Sequence, residues 1–153
     1  MSPGAPRAVR PVTAADGPAL AGFTCRSWDA PWTDLVEEMV HGLAGALADP
    51  ADLTARGLWE GDALAAVVAW RIEPASALCS TVLVAVHSAR RRRGYARTLR
   101  MVQIDEARRA GCRAVVTTVH RGDAAAIALD RSLGGTVAER PGDEDHMWSI
   151  IPV

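Results

Sequence analysis

The chain has 153 residues, 49% of them hydrophobic and 23% charged, and its 17 basic and 18 acidic side chains leave a formal net charge of −1. A domain of that length buries roughly 70% of the surface its unfolded form exposes, so it needs no metal or disulfide to fold, and the charge balance argues against a general polyanion binder. Cys25, Cys79 and Cys112 are widely spaced and include no C-x-x-C pair, suggesting neither a disulfide framework nor a zinc site, and no apolar run reaches the roughly 20 residues that span a bilayer.

The opening MSPGAPRAVRP lacks the apolar stretch of a signal peptide, which with the unpaired thiols points to a reduced, cytoplasmic setting and no membrane partner. Residues 1–7 are expected to be unstructured within a single domain covering 1–153, since the chain shows no repeat or linker. Ala8–Val12 reads as a short strand, and Thr13-Ala-Ala-Asp16 before Pro18 as the capped start of a helix through Ser27. Trp28–Thr33 (WDAPWT) is a loop from which Thr33 caps a second helix. Leu35, Val36, Met39, Val40, Leu43 and Leu47 form its buried stripe, and Pro50 ends it.

From Gly57 the period changes to that of strands. Leu58–Glu60, Ala63–Ile72 and Ala77–Val86, separated by Gly61-Asp62 and Glu73-Pro74-Ala75, predict an antiparallel meander. Tyr95–Ala110 returns to a helix anchored by Leu99, Met101, Val102, Ile104 and Ala107, with Gly111 just past its end. Ala114–Val119 is a short buried strand, Asp123 opens a helix to Leu133, and Gly134-Gly135 stops it. Thr136–Glu139 and His146–Ile151 are the last strands, around Pro141–Asp145. Trp59, Trp70 and Trp148 lie on strands and are expected in the core or an interface.

The segment that carries chemistry runs from Val84 through His87 and Arg90-Arg91-Arg92-Arg93-Gly94-Tyr95-Ala96-Arg97. An apolar strand leads into a basic, glycine-bearing turn and straight into a helix. Such a turn aims backbone N–H groups at one point, and the helix N-terminus adds about half a positive charge there, which suits a phosphate or pyrophosphate. Gly94 lets the chain bend and approach a ligand without a Cβ.

The hexapeptide Arg91-Arg92-Arg93-Gly94-Tyr95-Ala96 resembles the signature of the GNAT family of acyl-CoA-dependent N-acetyltransferases, and the element order is similar from about Val9 to Ile151. The resemblance implies a single α/β domain with a mixed, mostly antiparallel sheet flanked by helices on both faces. It implies N-acetyl transfer from acetyl-CoA to a primary amine by direct transfer, a small-molecule acceptor being favoured, with no metal and no nucleic acid. Arg91, Arg92, Arg93, Gly94, Tyr95, Ala96 and Arg97 would hold the pyrophosphate. Val84 and Val86 would meet the pantetheine and the thioester, between strands that splay apart after Ala77 and Ala114. The family often dimerises through its last strands, so a homodimer is an expectation.

Two positions depart from the family. The chain has no Asn, and Asp123 stands where many members have one; Asp130 stands where the family often has the Tyr that protonates the leaving thiolate. The proton on the amine needs an acceptor. His120 at the end of its strand is the first candidate, Ser80 holds the place of a strand Glu used by some members, and Glu73, His41 and His146 stand behind them. Trp28 and Trp32, flanking Pro31, are expected to line the acceptor pocket. Competing readings are a CoA-binding sensor of the same fold and an RNA-binding protein using the Arg90–Arg100 cluster.

Overall fold

Leu64 to Trp70 are buried without a break, so the strand that carries them is covered on both faces and the sheet grows outward from it. In the computed structural model, which describes residues 6–49 and 52–153, that strand is β3 (Ala63–Glu73). β1 (Arg7–Pro11) and β2 (Leu53–Glu60) precede it; β4 (Leu78–Val86), β5 (Ala114–His120), β6 (Thr136–Glu139) and β7 (His146–Pro152) follow. Together they form a seven-stranded sheet in the order β1-β2-β3-β4-β5-β7-β6. The two-residue connection Gly61-Asp62 forces β2 and β3 antiparallel. β1 is antiparallel to β2, with Arg7 opposite Glu60, and β7 is antiparallel to both β5 and β6. β4 and β5 are parallel, joined through the helix α4 (Tyr95–Arg109) as a parallel pair requires. The expected mixed, mostly antiparallel α/β fold is the one observed.

Contacts gather the chain into two compact units, one running to Ala69 and taking in Leu83–Arg100, the other made of Trp70–Val82 and Met101–Val153. In the first, α1 (Gly17–Ala21) packs with α2 (Trp32–His41) and α3 (Leu43–Ala48), which bury Leu20, Val40 and Leu43. In the second, α5 (Ala124–Ser132) packs on β6 and β7. No helix among the described residues is long and apolar enough to cross a membrane.

Several expectations are corrected. The Thr13–Asp16 capping box forms, with the Thr13 amide donating to Asp16 Oδ2 at 2.8 Å, but α1 stops at Ala21 rather than Ser27. After Gly22 the backbone serves other partners: the Phe23 carbonyl meets His41 Nε2 at 2.7 Å and the Cys25 amide donates to Glu37 Oε1 at 3.1 Å. Thr33 caps nothing; it lies inside the first turn of α2 and donates its hydroxyl to the Ala30 carbonyl at 2.6 Å. The second expected helix is divided at Gly42, which caps the end of α2 and precedes α3. Pro50 lies outside the described residues, as do residues 1–5, whereas Arg7, expected to be unstructured with them, opens β1. β2 already begins at Leu53, before Gly57. On α4 the expected anchor Met101 is 53% exposed while Arg100 and Gln103 are buried; Trp59 and Trp70 lie in the core as expected, and Trp148 on β7 is exposed, which leaves it the interface half of that expectation.

Candidate functional site

At the end of β4 the His87 amide donates to the Ala65 carbonyl at 2.8 Å, and one 3₁₀ turn, Ser88–Arg90, follows. The His87 ring accepts the Ala89 amide on Nδ1 at 3.1 Å, and burial, with the Arg90 charge beside it, lowers its pKa, so it is neutral near pH 7. Arg92 (φ 63°) and Gly94 (φ 76°) are both left-handed, so the chain bends twice in three residues before α4 begins. A non-glycine residue in that region costs about 1–2 kcal/mol and persists where its surroundings impose it. Nothing stands within 4 Å of the place a Cβ on Gly94 would occupy. The first helical bond runs from the Thr98 amide to the Gly94 carbonyl at 3.0 Å, which makes the amides of Tyr95 and Ala96 first-turn donors at the positive end of a 15-residue helix.

The arginines of the turn divide between two duties. Arg90 Nε donates to both oxygens of Glu60, at 3.1 and 3.2 Å, Arg93 Nη1 lies 3.8 Å from Oε1, and the Tyr95 hydroxyl donates to Oε1 at 2.6 Å. The Tyr95 hydrogen bond, with the charges of Arg90 and Arg93, holds the Glu60 carboxyl below the usual carboxylate range despite its partial burial. Arg91 Nη2 donates to the Cys25 carbonyl at 2.6 Å. Arg92 and Arg97 are exposed, but Arg100 is only 2% exposed. Arg100, the last of the Arg90–Arg100 cluster, therefore belongs to the core and not to the basic surface of the turn. Tyr95 turns its ring into the core, so it offers a ligand its backbone and not its side chain.

A helix N-terminus with open space before it and guanidinium groups around it favours an anion. Residues 18–134 match the model of the acetyltransferase (GNAT) family. The chain belongs to that family. It is an acyltransferase, and acetyl-CoA is its donor. The acetyltransferase is similar in fold to the ribosomal-protein-S18-alanine N-acetyltransferase of Escherichia coli (22% identity, 97% of this chain and 94% of that one, TM-score 0.75). It is likewise similar to the PaiA N-acetyltransferase of Thermoplasma acidophilum in complex with coenzyme A (12%, 97% and 99%, 0.75) and to the GNAT domain of S. lividans PAT (22%, 95% and 89%, 0.75). No curated protein matches it in sequence. The residues present fit the cofactor, because the amides and guanidinium groups of Arg91–Arg97 are the donor set a pyrophosphate requires.

In the second unit of the acetyltransferase, β4 and β5 are paired from Leu78 opposite Ala114 to Ser80 opposite Val116. At the next position the link is between side chains, with the Thr117 hydroxyl donating to Thr81 Oγ1 at 2.8 Å and the buried Gln103 donating to the same oxygen at 2.9 Å. His120 and His146 face each other across β5 and β7, their rings edge to face at 5.5 Å. The Gly122 amide donates to His120 Nδ1 at 3.0 Å, so the neutral ring carries its proton on Nε2. Ser80 is level with Val116, four residues before His120, or about 13 Å along the strand. Ser80 and His120 thus stand apart on the sheet as separate candidates.

The remaining candidates separate as well. Glu73 is the last residue of β3, bonded to Ser76, and His41 is tied to the Phe23 carbonyl. Asp123 caps α5, its Oδ1 accepting the Ala126 amide at 3.1 Å. Asp130 is buried and accepts the Ser149 hydroxyl at 2.6 Å. Trp28 is 93% exposed, and Trp32 opens α2. Glu60 and Glu37 escaped sequence reasoning because their partners lie far along the chain. Gln103 had a signal, since it stands four residues from both Leu99 and Ala107 on the buried face of α4.

Proposed function

We propose that this acetyltransferase passes the acetyl group directly to a primary amine of a small molecule in the cytoplasm, with Arg91–Arg97 holding the pyrophosphate of acetyl-CoA. The observation that carries the reading is the pair of left-handed residues, Arg92 and Gly94, at the open N-terminus of α4. When bound, acetyl-CoA supplies a thioester-activated acyl group. The chain's own part is to grip the phosphates with the turn's amides and guanidinium groups, and to offer backbone groups of Val84 and Val86 to the pantetheine and the carbonyl oxygen. The exposed ring of Trp28, with Trp32, supplies an aromatic surface for the acceptor. His120, through Nε2–H, holds a water that relays the ammonium proton to bulk solvent. A second copy pairing through the last strands belongs to the same reading.

Thiol release from acetyl-CoA across a panel of small primary amines tests this. At least one amine should turn over, His120→Ala should lower kcat about a hundredfold, and Trp28→Ala should raise the KM of the amine but not of acetyl-CoA. Binding of acetyl-CoA with no release by any amine would favour a CoA-binding module instead. That second reading has one observation of its own: the carboxyl of Asp130, where the resemblance places an acid, is turned onto Ser149.

A further inference from the structure

We propose that Glu60 is a positioning residue for the phosphate turn: its carboxylate, at the end of β2, sets the path by which the chain enters α4. Three groups from the turn converge on it. Arg90 binds both oxygens from the start of the turn, the Tyr95 hydroxyl binds Oε1 from the first residue of α4, and Arg93 lies 3.8 Å from the same oxygen. The left-handed residues Arg92 and Gly94 fall between these anchors. Arg90 and Tyr95 are thereby fixed to one point, and the four residues between them have to bend sharply to join them. The strain at Arg92 is what such a constraint produces. The carboxylate is mostly shielded, its side chain 14% exposed, and it lies next to the tight Gly61-Asp62 turn, so its own position is rigid. Arg90 is consequently spent on shape, and the first-turn amides and the exposed arginines of Arg91–Arg97 remain for the anion.

This rests on the turn being the pyrophosphate site, and the test separates the two claims. Tyr95→Phe removes one bond without changing any charge; Glu60→Gln removes the charge that Arg90 and Arg93 share. Melting temperatures are recorded against CoA and against pantetheine, which has the arm of CoA but no phosphate. The wild type should bind CoA far more tightly than pantetheine. Both variants should bind CoA about tenfold more weakly while their response to pantetheine is unchanged. Wild-type affinity for CoA in both variants overturns the proposal, as does an equal loss toward both ligands. Tighter CoA binding by Glu60→Gln also overturns it, because Glu60 would then act by repelling phosphate. A wild type that does not distinguish CoA from pantetheine overturns the pyrophosphate site itself. Should Glu60→Gln fail to fold, Tyr95→Phe alone decides.

Discussion

Arg92 combines a backbone conformation that an L side chain resists with an exposed guanidinium in the middle of the turn. The two properties pull in opposite directions under substitution. Arg92→Gly should stabilise the free protein by about 1 kcal/mol, because glycine adopts the left-handed region without strain, and should weaken CoA binding, because a phosphate partner is lost. Denaturant midpoints and CoA titrations of the variant read these separately; a variant both less stable and unchanged in affinity contradicts the assignment. The thiols give a second residue-level expectation. Burial, with the nearby Glu37 charge, pushes the Cys25 thiol up to about 11, and Cys25, Cys79 and Cys112 are all buried and outside any disulfide. Native protein should react only slowly with a thiol reagent, and denatured protein should react at once at three thiols.

At the scale of elements, what was legible in the sequence is what local chemistry decides. Gly111, Gly134 and the Asp123 cap bound their helices where expected, and the strand–turn–helix around Gly94 was readable because glycine, arginine and an ensuing amphipathic helix act on neighbours in the chain. The early stop of α1 and the interruption at Gly42 were not readable. Phe23, Cys25 and Arg26 give up helical bonds for partners on α2 that no local pattern announces. The Glu60 anchor was hidden for the same reason, lying 30 residues from Arg90 and 35 from Tyr95. The tie between α5 and β7 is a long-range bond too, and it gives a prediction. Ser149→Ala strips a buried carboxylate of a donor, so it should cost about 2 kcal/mol, seen as a lower urea midpoint; an unchanged midpoint means Asp130 does not depend on Ser149.

For the whole molecule, acid sensitivity follows from a few buried or bonded groups. Burial pushes the Glu37 carboxyl up, but hydrogen bonds from Thr24 and from the amides of Cys25 and Arg26, with the Arg26 charge, outweigh it and hold the carboxyl low. Glu60, Glu139 and Asp143 are held low as well, by Tyr95, Arg121 and His146 in turn. A carboxyl lower in the folded state stabilises it fully above the ordinary value, near 4.5 for Glu, and loses that contribution as pH falls through the lowered one. His87 acts in the same direction from a higher pH: the unfolded chain takes up its proton first as pH falls through 6.5. Urea midpoints followed by tryptophan fluorescence should be level above pH 7, decline gently below 6.5 and steeply below 4.5. Glu37→Gln should flatten the steep limb, and an unchanged limb would contradict this account of Glu37.

A CoA thermal-shift titration of wild type, Gly94→Ala and Gly94→Glu asks whether the Gly94 turn holds the phosphates of the cofactor. Both variants carry the strain of a left-handed non-glycine residue, but glutamate also puts bulk and negative charge into the open space above the turn. At 100 times its Kd, CoA should stabilise the wild type by about 2.7 kcal/mol, a rise in Tm of several degrees. If the turn grips the phosphates, the wild type shows that rise, Gly94→Ala a weaker response and Gly94→Glu none. Equal shifts in all three would contradict it.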